Sequence, residues 1–188
     1  MNVMDAIMQR RTIRKFQQKA LPKELLYSVI DAATVAACGN NLQPLRYEII
    51  TDKKLRDEVF ATTKWAASLP DGTPKEDERP MAYIIVYADE RIKKECAVDA
   101  GSAIANMMLA AWSQGIGSCW LGSVDRPALR SILETPEHLQ LLYVLALGYP
   151  AQESVAEAVK DSCRYYEDEN GVIHVPKLSR QQVLIQER

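Results

Sequence analysis

Four cations crowd into the seven residues RRTIRKF, positions 10 to 16 of a chain of 188 residues. If this segment is extended, its two-residue period places Arg10, Thr12 and Arg14 on one side and Arg11 on the other. Guanidinium groups suit phosphate and carbonyl oxygens, because they offer paired donors of fixed geometry and keep their charge. Taken alone, the cluster is more typical of a solvated basic turn, and an oxyanion site is the alternative that this spacing allows.

A second stretch, CGNNLQPL at positions 38 to 45, combines adaptable backbone with amide side chains. Gly39 and the Asn40–Asn41 pair tolerate left-handed backbone, and Pro44 ends the turn before a strand. The amide of Gln43 can donate and accept at once, so it could bind the edge of a pyrimidine-like ring. An ordinary connection between a helix and a strand is the alternative.

The third stretch is GIGSCWLGS, positions 115 to 123. Its glycines do not match the G-x-G-x-x-G fingerprint, so a Rossmann dinucleotide site is not indicated. Gly122 has no side chain, and its backbone could therefore approach a planar ligand closely.

Composition narrows the class of protein. The net charge is −2, so no global positive field is available to hold nucleic acid. No run of about 20 apolar residues is present and the N-terminus shows no cleavage site, which predicts a cytoplasmic protein without a membrane span. The four cysteines are spread singly and the chain has two histidines, so we expect reduced thiols and no metal centre.

The hydrophobic pattern predicts one domain in which helices and strands alternate. The predicted helices are 2–9, 22–37, 52–63, 95–115 and 125–134, and the predicted strands are 45–50, 81–89, 115–122 and 139–150. The helix at 95–115 is apolar or small almost all round, so we expect it to be buried on every side. Residues 68–80 carry prolines and charges and are expected to form a surface loop. These elements predict an α+β domain with a short sheet between helices.

Four motifs, taken in order, resemble one family. RRTIRKF resembles the R-R-S-x-R-x-F/Y opening of the nitroreductase-like flavoproteins, and NNLQP their N-x-Q-P. DAGSAIANMMLAAWSQGIGSCWLG is similar to their central helix and flavin-covering turn, and LGYP to the end of their last strand. The resemblance implies a nitroreductase-like α+β sandwich, with a short mixed sheet flanked by helices, that forms an obligate homodimer. It implies an FMN-binding domain at 1–176 and an extended tail at 177–188.

The resemblance also assigns residues to the phosphate, the ribityl chain and the pyrimidine end of FMN. These are Arg10, Arg11, Thr12 and Arg14. A basic residue near the C-terminus completes the phosphate site in such proteins, and Lys177 and Arg180 are both candidates. Arg14 would stabilise the negative charge that develops on the ring when it is reduced.

Other residues are implied around the ring, some of them on the second subunit. Cys38 and Gly39 would line the flavin of the other subunit, supported by Asn41 and Gln43. Leu121, Gly122 and Ser123 would face the ring through their backbone. The chain departs from the family pattern at three places: Ala37–Cys38 replaces Pro-Ser, Leu45 replaces Trp, and Gly122 stands where larger relatives have Glu.

The implied activity is reduction of nitroaromatics, quinones or similar electron-poor acceptors by NAD(P)H in a ping-pong cycle. The flavin would carry the hydride, which fits a chain without an evident catalytic triad. Trp65, Trp120 and the 68–80 loop are candidates for pocket walls or a lid, with core and surface roles as the alternatives. Two other functions stay open: a specialised enzyme acting on a halogenated or otherwise activated aromatic, and a flavin-binding or storage protein without turnover.

Overall fold

The computed structural model describes residues 1–69 and 72–188. The helices are α1 Val3–Gln9, α2 Lys23–Thr34, α3 Lys53–Ala61, α4 Ala97–Ser113, α5 Arg126–Ile132 and α6 Arg180–Val183. The strands are β1 Leu45–Ile50, β2 Ala82–Asp89, β3 Gly117–Leu121, β4 Leu139–Gly148, β5 Ser154–Ala158, β6 Tyr166–Glu167 and β7 Ile173–Lys177. Short 3-10 turns occupy Gly39–Asn41 and Glu76–Glu78.

The main sheet has the strand order β1-β2-β4-β3, with antiparallel neighbours throughout. Every residue of β2 is buried, as expected for a continuous apolar run that is covered on both faces. Its alternating side chains enter two cores. In the first core, Ile84 and Val86 pack with α2 and α4. In the second core, Ile85 and Tyr87 pack with α3 and α5. The α+β sandwich predicted from the sequence is therefore confirmed.

A smaller sheet follows the main one, with the order β5-β7-β6. β5 and β7 are parallel, and β6 and β7 are antiparallel, so this sheet is mixed. Lys177 is the last residue of β7, and residues 180–183 form one helical turn. The predicted tail at 177–188 thus begins inside a strand and is not extended throughout.

The cationic segment at 10–16 crosses the far edge of the main sheet. Thr12 forms a parallel bridge with Ser118 of β3, and the Ile13 amide donates to the Ser118 carbonyl at 2.9 Å. Ile13 and Phe16 are buried in the second core. They cross the sheet where it has glycines, because a β-carbon at Gly117 would lie 2.8 Å from Ile13 and one at Gly148 would lie 2.7 Å from Phe16.

Two predictions about helices are corrected by the structure. α4 is not buried on every side, since Val98 is 85% exposed and Ala105 is also exposed. No element among residues 1–69 and 72–188 covers Val98 or Ala105 on that face. α2 ends at Thr34 and not at residue 37 as predicted, because β-branched Thr34 and Val35 lower helix propensity.

The apolar residues of α1 are also exposed. Val3, Ile7 and Met8 are all exposed, and Ala6 is the buried residue of this helix. Within the described residues, no helix combines the length and apolar character needed to cross a membrane.

Candidate functional site

Most of the predicted cations meet at one cavity of about 290 Å³, here called the cationic cavity. Its lining includes Arg10, Arg11, Thr12, Arg14, Tyr165 and Lys177. The segment 10–14 reaches it directly after α1, where the Arg10 amide donates to the Ala6 carbonyl at 2.9 Å. Lys177 arrives from β7 of the smaller sheet. Residues far apart in sequence thus line the same cavity.

Arg11 has a different local role from its neighbours. Its guanidinium donates to the carbonyls of Arg10 and Met8 at 2.6 and 2.7 Å, so it satisfies backbone at the end of α1. Its Nε is buried without a partner. Arg11 therefore lines the cavity but has fewer donors available for a ligand than Arg10 or Arg14.

Arg14 is oriented by contacts on both its backbone and its side chain. The Arg14 and Lys15 amides donate to Oε1 of Gln152 at 2.6 and 2.7 Å. The Arg14 guanidinium lies 4.7 Å from the centre of the Tyr165 ring, within cation–π range. The segment is thereby held against the chain that leads from β4 into the smaller sheet.

The cavity concentrates positive charge that the described residues do not neutralise by ion pairs. Among the described residues, the ion pairs do not involve Arg10, Arg11 or Arg14. Burial lowers the pKa of Arg10, and the nearby charge of Arg11 lowers it further. Burial likewise lowers the pKa of Arg11. An anionic ligand would relieve this repulsion, so the cavity suits phosphate or carboxylate.

A second cavity of about 620 Å³, here called the aromatic cavity, adjoins the first. Ile7, Arg10 and Thr12 line both. The remaining walls come from α4 and from the strands β3 and β4, and they are Ala105, Met108, Leu109, Trp120, Gly122 and Tyr143. The two cavities together offer an oxyanion site that continues into an apolar chamber.

Trp120 and Gly122 shape the aromatic cavity. Trp120 stands edge-on to Tyr143, with ring centres 5.1 Å apart and planes at 87°. It is 39% exposed, which leaves much of a large aromatic surface open to a ligand. A β-carbon at Gly122 would meet only Tyr143, at 3.9 Å, so this wall is open on the cavity side.

Leu121, Gly122 and Ser123, which are predicted to face the ring through their backbone, also have contacts within the chain. The Leu121 side chain is buried in the second core. The Ser123 carbonyl accepts from the Lys64 amide at 3.0 Å, and that of Gly122 accepts from Arg126 at 3.2 Å. Gly122 is the member of the three that lines the aromatic cavity.

The loop at 38–43 lies at a third cavity of about 540 Å³, here called the loop cavity. Its backbone is left-handed at Asn40, Asn41 and Gln43, with φ near 50° at each. Gln43 donates to Asn41 through its amide at 3.0 Å, which braces the loop. The predicted left-handed backbone is thus found at the two asparagines, while Gly39 is not left-handed.

A buried carboxylate anchors this loop to α4. Asp99 Oδ1 accepts from the Gly39 amide at 3.0 Å, and Oδ2 pairs with Lys93 Nζ at 2.6 Å. The hydrogen bond from Lys93, followed by the Gly39 amide, lowers the pKa of Asp99. Cys38 lines the loop cavity beside this anchor.

The loop cavity shares no lining residue with the cationic or aromatic cavity in the described part of the chain. α4 borders both regions, with Asp99 and Ala103 at the loop cavity and Ala105 and Met108 at the aromatic cavity. Within the described part of one chain, Cys38 and Gly39 therefore do not line the cationic cavity with Arg10 and Arg14.

The family model that matches this sequence is that of the nitroreductase family, over residues 7–149. The chain belongs to the nitroreductase family. It is 31% identical to a protein of Methanothermobacter thermautotrophicus provisionally named NADH dehydrogenase/NAD(P)H nitroreductase, over 81% of this chain and 79% of that protein. It is 25% identical to an iodotyrosine deiodinase of Thermotoga neapolitana, over 78% and 87% of the two chains.

The solved structures similar to this nitroreductase-family chain include a protein of Desulfovibrio desulfuricans, provisionally named a nitroreductase and determined in complex with FMN. The two are 25% identical with a TM-score of 0.74, and the match covers 100% of this chain and 98% of the other. The whole chain, including the smaller sheet, is thus part of the shared fold.

The other described residues predicted to line the pocket or bind phosphate lie away from the two ligand cavities. Trp65 is buried and stacks on Phe60 with ring centres 5.8 Å apart, so it belongs to the core. Residues 70 and 71 of the predicted 68–80 loop lie outside the described residues. The turn at 76–78 borders a separate groove with Arg56. Arg180 lies in α6 and, unlike Lys177, does not line the cationic cavity.

Several residues that line the two cavities were not predicted from the sequence as site residues. Tyr165 and Val175 line the cationic cavity, and Tyr143 lines the aromatic one. Tyr143 lies within a predicted strand, so strand periodicity was a usable signal for it. Tyr165 and Val175 lie in a polar stretch whose small sheet was not predicted, and no comparable signal marks them.

Proposed function

We propose that the cationic and aromatic cavities together form an FMN site, and that the protein is an NAD(P)H-dependent oxidoreductase. One observation carries this proposal: guanidinium groups that form no ion pair with the described residues lead, through Arg10 and Thr12, into an apolar chamber walled by Trp120 and Tyr143. FMN has the same two parts, a phosphate and an aromatic ring joined by a polar chain. When bound, it supplies acceptance and donation of a hydride.

In this proposal the chain provides position and charge. Arg10, Arg14 and Lys177 hold the phosphate, because charged donors bind phosphate oxygens strongly. Thr12 offers a hydroxyl at the junction of the two cavities. The electrostatic support predicted for Arg14 is shared with Arg10, since Arg10 borders both cavities. Arg11 contributes mainly by fixing the end of α1.

The aromatic cavity limits what can lie beside the ring. Met108, Leu109, Trp120 and Tyr143 present apolar surface that favours planar aromatic molecules over polar ones. Gly122 offers neither a carboxylate nor any other side-chain polar group. We propose that a nicotinamide and an electron-poor acceptor, such as a nitroaromatic or a quinone, use this space in turn.

A second copy of the chain completes the site in this proposal. Cys38 lines the loop cavity, which is separate from the cationic cavity, and the amide of Gly39 beside it is held by Asp99. In this proposal these two loop residues therefore reach a flavin only from another chain. The exposed apolar residues Ile7 and Val98 offer a surface for such a homodimer. Ile7 also lines both ligand cavities, which places that surface beside the site.

One alternative activity has a specific observation in its favour. The iodotyrosine deiodinase of Thermotoga neapolitana matches this chain over most of its length. A reductive enzyme acting on a halogenated aromatic is therefore the second candidate, and it uses the same site.

The test is reconstitution of the purified protein with FMN, followed by anaerobic addition of NADH or NADPH. We expect about one FMN per chain and bleaching of the flavin absorbance by at least one nucleotide. Oxidation of the reduced protein by nitroaromatics, quinones and iodophenols then separates the two candidate activities. Protein that takes up no FMN contradicts the proposal, and bound FMN that neither nucleotide reduces indicates a binding or storage role.

A further inference from the structure

His174 of β7 is held between two carboxylates. Its Nδ1 lies 2.9 Å from Oε2 of Glu157 on β5, and its Nε2 lies 3.2 Å from Oδ2 of Asp168, which follows β6. The three side chains are 23 to 31% exposed, so they lie at the edge of solvent and not in the core. One imidazole thus joins both other elements of the smaller sheet.

The number of protons on the His174 ring decides which of these contacts can be hydrogen bonds. A carboxylate can only accept a hydrogen bond, and a neutral imidazole has a single N–H to donate. Neutral His174 can therefore satisfy Glu157 or Asp168, but not both. The imidazolium form donates from both nitrogens and balances the two negative charges in part.

The groups that face His174 reinforce this state. Tyr166 of β6 stacks on its ring, with centres 4.9 Å apart and planes at 6°, and its hydroxyl donates to Glu157 at 3.1 Å. The hydrogen bonds to Glu157 and then to Asp168 raise the pKa of His174. The bond from His174 lowers the pKa of Glu157, and the distant charge of Lys160 lowers it further.

Asp168 has a second source of support. The Val172 amide lowers its pKa most, and His174 and the Asn170 amide lower it further. The amides of Asn170 and Val172 both donate to Asp168 Oδ1 at 2.9 Å, so Oδ2 is left for His174. The carboxylate therefore joins the turn between β6 and β7 to the imidazole.

This cluster lies directly behind the cationic cavity. Side chains alternate along a strand, so His174 faces away from Val175 and Lys177, which line the cavity. Tyr166 faces His174 while Tyr165, its neighbour, supports the Arg14 guanidinium. One face of the smaller sheet is thus the cavity wall, and the other carries the cluster.

An ion pair links the same sheet to the cationic segment. Lys15 Nζ lies 3.3 Å from Oε1 of Glu167, the last residue of β6. The Gln152 side chain, just before β5, accepts from the Arg14 and Lys15 amides. A change in the position of β6 therefore reaches the residue next to Arg14 through the Lys15–Glu167 pair, and a change at the start of β5 reaches Arg14 through Gln152.

We propose that His174 is a proton-sensitive positioning residue, which holds β5, β6 and β7 together when protonated and so keeps Tyr165 and Lys177 at the phosphate end of the site. Loss of its proton releases one carboxylate and loosens this wall. The inference rests on the proposed FMN site, and it adds a dependence of cofactor retention on pH.

The direction of that dependence follows from the pKa shifts. The pKa of His174 is raised above 6.5, so its contribution is complete below pH 6.5 and is lost as the pH rises through the raised value. Glu157 and Asp168 have lowered pKa values, so their contributions are present above 4.5 and 3.8 and are lost as the pH falls. The wall is thus held most firmly between these limits, from about pH 4.5 to pH 6.5.

The test compares FMN dissociation constants from pH 5 to pH 9 in the wild type, in His174→Gln and in His138→Gln. The phosphate of FMN titrates in all three, so a difference between profiles isolates the histidine. We expect the wild type and His138→Gln to lose affinity roughly 5- to 10-fold more than His174→Gln does between pH 6 and pH 9. His138 is the other histidine of the chain and serves as the matched control.

A second measurement uses only the wild-type protein, so it does not require that a variant folds. The ring protons of His174 in wild-type protein should titrate above pH 6.5 by nuclear magnetic resonance, with the midpoint where FMN affinity begins to fall. Identical FMN profiles in the wild type and His174→Gln, or a His174 midpoint at or below 6.5, overturn the inference while FMN binding stands. Absence of FMN binding at every pH overturns the proposed function and this inference with it.

Discussion

The position that a β-carbon on Gly117 would take lies 2.8 Å from the β-carbon of Ile13. Real β-carbons do not approach each other so closely, so the cationic segment can cross β3 only because Gly117 has no side chain. Ile13 is buried there, and Thr12 and Arg14 on either side of it line the cationic cavity. A contact within the core thus decides where the candidate ligand groups lie.

Gly117→Ala should therefore weaken both the fold and the ligand site. The added methyl group must displace Ile13, and overpacking of this kind costs about 1 to 3 kcal/mol in the free energy of unfolding. We also expect weaker FMN binding, since the segment moves with Ile13. Denaturant unfolding and FMN titration measure the two effects. Gly101→Ala is the control, because its β-carbon would lie an ordinary 3.7 Å from Trp120.

Lys177 and Arg180 should differ in their effect on the cofactor. Lys177→Gln removes a charged donor from the cationic cavity, which should raise the FMN dissociation constant roughly 10- to 100-fold. Arg180→Gln should change it little, because Arg180 does not line that cavity. Riboflavin, which lacks the phosphate, should bind both variants as it binds the wild type. Equal losses of FMN affinity in the two variants would count against the assignment of Lys177.

Two variants that each fail to bind FMN should restore sites when combined. Arg14→Glu repels phosphate, and Gly39→Trp obstructs the loop that we assign to the second chain. In a mixed dimer one site carries both changes and the other carries neither. Random pairing makes half of the dimers mixed, so about a quarter of all sites should regain FMN.

Co-expression with two different affinity tags, followed by flavin quantification, measures this recovery. Each variant alone must be folded and dimeric for the comparison to hold, which circular dichroism and sedimentation establish. Mixed dimers that recover no flavin would mean that the site lies within one chain.

FMN should protect Cys38 from alkylation. Cys38 is half-buried at the loop cavity and Cys163 is exposed, whereas Cys96 and Cys119 are buried. Burial raises the pKa of Cys119 to about 11 and also raises that of Cys96, so these two thiols should react slowly in the native protein. Mass spectrometry after brief iodoacetamide treatment should show slower labelling of Cys38 with FMN present. Cys163 is the internal control. Equal slowing of both thiols would mean that FMN does not protect Cys38 specifically.

The cationic segment was predictable because its pattern is local. A two-residue period needs only an extended backbone, and Arg10, Thr12 and Arg14 do line one cavity. The sandwich was predictable for a similar reason, since the continuous apolar run of β2 requires cover on both faces. What the local pattern did not reveal was the use of the Arg11 donors by the end of α1.

The exposure of apolar helix faces and the polar strands of the smaller sheet could not be read from the sequence pattern. The apolar faces of α1 and α4 look like core, but Ile7 and Val98 are exposed within one chain. Periodicity records that a face is apolar and not which molecule covers it. The smaller sheet was missed because its strands carry Glu157 and His174, and charged pairs of this kind make a strand resemble a loop.

The alternation of core and cavity residues along the cationic segment constrains its length more strictly than its composition. With α1 held in place, deletion of Thr12 would move Arg14 into the space that Ile13 occupies. A guanidinium would then enter an apolar interior without a partner, at high cost in free energy. Ile13 would in turn face the cavity. Substitutions in this segment change one contact each, whereas the loss of a single residue exchanges its inner and outer faces.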